Sequence, residues 1–140
     1  MDVEIIEDRI YYIKDKIKDI NFEIEMYNKT LDKRVKKSHL AAAERWAEEI
    51  IESAININNE ILKDYGKIST SYYESFLELK IIDMFEDKFL EKIANTAGFR
   101  NRLAHEYMDL NEEITLNSIK NIPKLYKEYL IKIQSIILKK

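Results

Sequence analysis

Apolar residues recur in this chain at steps of three and four, and that period constrains the fold more than any other feature. Val3, Ile6, Ile10, Ile13, Ile17, Ile20, Ile24, Tyr27 and Leu31 make one unbroken seam. At 3.6 residues per turn such spacing returns each side chain to one face, so the seam predicts a long amphipathic helix with Glu, Asp and Lys on its other faces. No segment alternates with period 2, so no strand is expected.

The same reading divides the rest of the chain. A break falls near Asn28–Thr30, with Thr30 as the expected N-cap of a second helix over about Leu31 to Asp64. Its seam is Leu40, Ala43, Ala47, Ile50, Ala54, Ile57 and Ile61, and Gly66 ends it. Ser69, Thr70 and Ser71 offer caps for a short third helix through Leu79, with Tyr72 and Tyr73 read as core beside Phe76. A fourth helix spans about Phe85 to Tyr107, with Phe85, Phe89, Ile93 and Ala97 inward. Asp109 to Asn117 reads as polar and turn-rich. The fifth helix carries Ile119, Ile122, Tyr126, Tyr129, Leu130, Ile133 and Ile137, and Pro123 either kinks it or marks its first turn. The expected fold is all-α: residues 1–140 form one domain, an antiparallel up-and-down bundle of four main helices with one short helix inserted.

Composition removes several functions. There is no cysteine, hence no disulfide, no thiolate metal site and no cysteine nucleophile. Two glycines cannot build a glycine-rich phosphate loop. No apolar run reaches the ~18 residues of a membrane span, and the N-terminus MDVEIIEDRI is too charged for a signal peptide, so a soluble cytoplasmic protein is expected. The net charge of −3 gathers no polyanion globally, so any nucleic-acid site is local. Lys29, Lys33, Arg34, Lys36 and Lys37 form a basic stretch, read as the solvated start of the second helix rather than a phosphate-contact patch.

Only two histidines are present, which narrows any acid–base chemistry near neutral pH. His39 lies among polar residues and reads as a surface side chain. His105 lies in Gly98–Phe99–Arg100–Asn101–Arg102–Leu103–Ala104–His105–Glu106–Tyr107. Asn101 and His105 are i,i+4 and share a helix face, while Arg100 and His105 are about 140° apart, a gap that a long arginine can bridge. Histidine can take or give a proton, an arginine fork matches a phosphate, and Asn101 can orient the imidazole. That is a minimal kit for cleaving RNA without a metal ion, with the 2′-hydroxyl as nucleophile. His and carboxylates lack the spacing of a metal cluster. The bland alternative is an Arg and a His favourably placed at the negative end of a helix dipole.

The pattern Arg100-x4-His105-x-Tyr107, with Asn101 after the arginine, resembles the RX4HXY signature of HEPN-domain proteins of the HepT type. Ala42–Ala43–Glu44–Arg45 with Glu52–Ser53–Ala54 is similar to that family's second helix. Ser71–Tyr72–Tyr73–Glu74–Ser75–Phe76–Leu77–Glu78–Leu79 is similar to its short third helix. The more charged first helix and Trp46 depart from it. The resemblance implies a helical homodimer with an endoribonuclease site made of two facing motifs. Arg100 and His105 would carry catalysis, with Asn101 assisting. Tyr107 would receive AMP from an MNT nucleotidyltransferase antitoxin. It implies no cofactor and no metal. One motif histidine per chain also fits a two-fold site, since transphosphorylation needs both a base and an acid. Glu44 and Arg45 are read as a supporting polar cluster beneath the motif, against a plain surface pair. Trp46 is read as core or dimer contact. The competing functions are a non-catalytic helper that docks a nucleotidyltransferase and a bare helical interaction bundle.

Overall fold

The structure, a computed structural model, describes the backbone of residues 1–106 and 112–139 and the side chains of residues 1–99 and 112–139. The elements run α1 (Val3–Lys29), α2 (Lys33–Lys63), α3 (Tyr72–Leu77), a 3-10 turn (Glu78–Ile82), α4 (Asp87–Glu106) and α5 (Glu112–Leu138). Among the described residues there is no strand. None of these helices is long and apolar enough to cross a membrane.

The seam of α1 is buried where its period says it should be. Ile6, Ile10, Ile13, Ile17 and Ile20 all face the core, chiefly against α2. Leu31 does not continue the seam. It is 95 % exposed in the connection, because the helix stops at Lys29 and the face is lost. The cap of α2 is Asp32 rather than Thr30. Asp32 Oδ1 accepts from the backbone N–H of Arg34 at 2.9 Å and of Val35 at 3.2 Å. Thr30 instead ends α1, and its Oγ1 accepts from Asp32 N–H. A carboxylate both bonds the free N–H groups and meets the positive end of the dipole, so it prevails over a nearby threonine. Gly66 follows the end of α2 at φ +66, a backbone that favours glycine.

Ser71 caps α3, its Oγ accepting from Glu74 N–H at 3.1 Å. The helix is only six residues long and passes into the 3-10 turn, so Leu79 lies beyond it. Tyr72 and Tyr73 are exposed, contrary to the expected core placement, while Ser75 and Phe76 are buried. Phe85 is buried but precedes α4, which starts at Asp87. The stretch expected to be turn-rich up to Asn117 is helical from Glu112. Glu112 and Glu113 are first-turn acids at a helix start, where negative charge is favourable. Asp109 to Asn111 lie outside the described residues. Pro123 is buried well inside α5, past its first turn.

Among the described residues, five polar side chains are buried with the apolar core: Ser53, Asn58, Ser75, Thr96 and Thr115. Three of them join two tyrosines in hydrogen bonds that tie four helices together. Tyr129 OH donates to Asn58 Oδ1 at 2.5 Å, Asn58 Nδ2 donates to Ser75 Oγ at 3.2 Å, and Ser75 Oγ donates to the Tyr72 carbonyl. Tyr126 and Tyr129 pack edge-on against Phe76 and each other. Burial with such bonds avoids the cost of unpaired polar groups and fixes one register, because a slip breaks every bond.

Candidate functional site

The backbone of α4 is helical through Glu106, so Arg100, Asn101 and His105 occupy its last two turns. Their side chains lie outside the described residues, and so does the whole of Tyr107. The expected Asn101–His105 contact therefore lies there too. What the structure describes is how this end of α4 is held.

Ile93, Ala94 and Ala97 face the core. One helical turn before Arg100 stands Thr96. Its Oγ1 donates to the Ile93 carbonyl at 2.6 Å and lies 2.7 Å from Tyr126 OH. The single threonine proton goes to Ile93, so Tyr126 is the donor to Thr96. At the other end of α4, Phe85 stacks on Phe89 with centroids 6.0 Å apart and on Tyr129 at 6.4 Å. Two aromatic residues of α5 thus hold α4, Tyr126 directly at Thr96 and Tyr129 through Phe85, which precedes the helix and stacks on Phe89. Burial raises the Tyr126 and Tyr129 hydroxyls above the usual phenol range. Both stay protonated, as structural donors.

Arg45 is a largely exposed side chain that reaches Glu49, with Nε 3.6 Å from its carboxylate. Glu44 is half-buried, and burial followed by repulsion from Glu48 raises its carboxyl above the usual range. The Glu49 carboxylate also accepts from Tyr12 OH. That bond first, and burial second, push Tyr12 up to about 12. Trp46 is partly buried against the core, with Lys16 Nζ 4.2 Å above its ring. His39 is half-buried, its Nδ1 2.5 Å from a Glu23 carboxylate oxygen, so it bridges α1 and α2. In the basic stretch, Lys29 pairs with Glu25, and Lys36 donates to the Tyr27 carbonyl at 2.8 Å. Lys33, Arg34 and Lys37 are exposed. Among the described residues no three His, Asp or Glu side chains are grouped to hold a metal ion.

The family model that matches this chain is described as HepT-like, Ribonuclease HepT-like, and it covers residues 6–133. A tRNA nuclease HepT of Aphanizomenon flos-aquae is 33 % identical over 97 residues, which is 68 % of this chain. The chain spans 65 % of that relative's length. Among solved structures, the tri-AMPylated HEPN toxin of Shewanella oneidensis in complex with MNT antitoxin is 21 % identical, with a TM-score of 0.81 over 96 % of this chain and 99 % of that one. A toxin–antitoxin solved with AMP-PNP, also 21 % identical, gives a TM-score of 0.80 over 95 % and 99 %. These likenesses show the same helical fold.

Proposed function

Because the chain belongs to the HepT-like ribonuclease family, we propose that it is an endoribonuclease toxin acting through Arg100 and His105 and restrained by a nucleotidyltransferase antitoxin. The observation that carries this reading is the position of Arg100 and His105 in the last two turns of a helix whose preceding turn is fixed by the Thr96–Tyr126 bond. The name of the Aphanizomenon relative and the assemblies of the solved toxins support it.

The reaction needs a base and an acid on opposite sides of one phosphate. Two chains related by a two-fold axis supply both from the same residue, His105. One imidazole takes the 2′-hydroxyl proton as O2′ attacks phosphorus. The bond from phosphorus to O5′ breaks, and the second imidazolium protonates O5′. The products are a 2′,3′-cyclic phosphate and a 5′-hydroxyl. Arg100 places its guanidinium against the non-bridging oxygens, where negative charge grows in the transition state. Asn101, one turn before His105, orients the ring. Glu44 is a support for this polar cluster, and Arg45 is the lesser candidate because Glu49 already engages it. No step uses a metal ion or a cofactor.

Tyr107 lies two residues past His105. Attack of its hydroxyl on the α-phosphorus of ATP, catalysed by the MNT partner, releases pyrophosphate and leaves AMP on the tyrosine. The added negative charge beside the motif repels the RNA phosphate. The test is cleavage of RNA in excess chelator. The wild-type chain should cut, and His105→Ala should lose about 10²–10⁴ in rate, the usual contribution of acid–base catalysis. Equal rates would leave only the docking helper or the bare bundle.

A further inference from the structure

The groove between α4 and α5 runs along α4 as far as Phe99, the residue before Arg100, and its chemistry is graded along its length. It encloses about 720 Å³. The two helices run antiparallel, so the start of α5 adjoins the motif end of α4. Farthest from the motif the lining is acidic, with Glu86 and Glu128. Toward the middle come Lys88, Lys92 and Lys124, all exposed. Nearer the motif the lining turns to neutral donors and acceptors, Asn95 and Asn121. Phe99 and Ile122 are buried at the floor, and Phe89 is only half-buried.

The three lysines make no ion pair or hydrogen bond among the described residues. Lys14, Lys18 and Lys127 likewise have no ion pair among the described residues, so what sets Lys88, Lys92 and Lys124 apart is their place along the helix that carries the motif. Lys88, Lys92, Asn95 and Phe99 follow one another at steps of four, three and four, so they form one stripe of α4. The rise from Lys88 to Arg100 is roughly 18 Å at 1.5 Å per residue.

We propose that this groove holds the single-stranded RNA flanking the bond that is cut. Lys88, Lys92 and Lys124 would neutralise successive phosphates, and the half-buried face of Phe89 would stack a base. Exposed cations with no carboxylate partner are what a polyanion finds without first breaking an ion pair, and aromatic stacking tolerates any base. The acidic pair at the far end limits the track and gives it a direction toward Arg100. The groove between α1 and α5 serves as a comparison. It also carries three lysines, Lys14, Lys18 and Lys127, but among the described residues α1 does not touch α4.

This inference rests on the ribonuclease reading, and the experiment separates the two. A fluorescent single-stranded 2′-O-methyl RNA cannot be cut by 2′-hydroxyl attack, so its binding is measured by anisotropy on the wild-type chain over a range of salt. Lys88→Ala/Lys92→Ala/Lys124→Ala should weaken binding at low salt and reduce the slope of log affinity against log salt by about 2, at roughly 0.7 per lost phosphate contact. The charge-matched Lys14→Ala/Lys18→Ala/Lys127→Ala should leave affinity and slope unchanged. On cleavable RNA the groove variant should raise KM and keep kcat. Equal slopes for wild type and groove variant, or equal losses in both triple variants, would overturn the proposal. So would a change of oligomeric state in the groove variant by sedimentation, which would make the groove a contact between copies of the chain. Absence of cleavage by the wild type would overturn the ribonuclease reading, while the anisotropy still decides the groove.

Discussion

The Thr96–Tyr126 bond lies one helical turn before Arg100, and its removal has a calculable cost. Thr96→Val keeps the side-chain shape and deletes the hydroxyl. Tyr126 is fully buried and donates to that hydroxyl, so the variant leaves a buried donor without its acceptor. The cost is about 1–3 kcal/mol. Tyr126→Phe removes the donor instead and leaves Thr96 still bonded to the Ile93 carbonyl, so it should cost about 0.5–1.5 kcal/mol. The double variant replaces both partners by apolar groups, so its loss should be well below the sum of the two single losses. For 140 residues, 1 kcal/mol moves Tm by roughly 3 °C, from an unfolding entropy of about 2.1 cal/mol/K per residue. Thr96→Val should therefore melt about 3–10 °C lower. The assay is urea and thermal unfolding at one fixed protein concentration, since self-association would add to stability. A change under about 0.5 kcal/mol, or strictly additive losses in the double variant, would refute the bond as the anchor of α4.

Two further outcomes follow from local geometry. Asp32→Ala should cost about 0.5–2 kcal/mol as a lost N-cap, and Thr30→Ala should cost less, which paired unfolding curves would read directly. Tyr12 is held protonated by its bond to Glu49, and Tyr126 and Tyr129 by burial. A phenol whose folded pKa is raised binds its proton more tightly when folded. Its stabilising contribution is complete below about pH 10 and is lost as pH climbs through the folded value, about 12 for Tyr12. Phenolate absorbance should thus show these three tyrosines ionising only together with alkaline unfolding, and early ionisation of all nine would contradict the packing.

The long helices were legible because their apolar period is unbroken. In α1 and α2 the seams from Ile6 to Ile20 and from Leu40 to Ile61 are the buried faces. Legibility failed where a segment was too short or too polar for the period to show. Six residues of α3 span under two turns, so Tyr72 and Tyr73 could be given either face, and the structure leaves both exposed. Thr30 and Asp32 are both able to cap and only two residues apart. Glu112 and Glu113 read as loop by polarity, yet polarity is what a helix start favours. The buried Asn58 and Thr96 also escaped notice, although each stands in an apolar stripe, Asn58 between Ala54 and Ile61, and that anomaly was the available signal. The groove lysines were missed because α4 alone shows only Lys88 and Lys92. Lys124 joins them through the pairing of α4 with α5.

The proposed sharing of one active site by a histidine from each of two chains is tested most directly by subunit mixing. Wild-type and His105→Ala chains are unfolded together, refolded in varying ratio at constant total concentration, and assayed for RNA cleavage. If both imidazoles are needed, activity follows the square of the wild-type fraction and falls to about one quarter at an equal mixture. Activity that falls linearly, to about one half at that point, would mean that each chain cuts RNA with its own histidine, and would contradict the shared site.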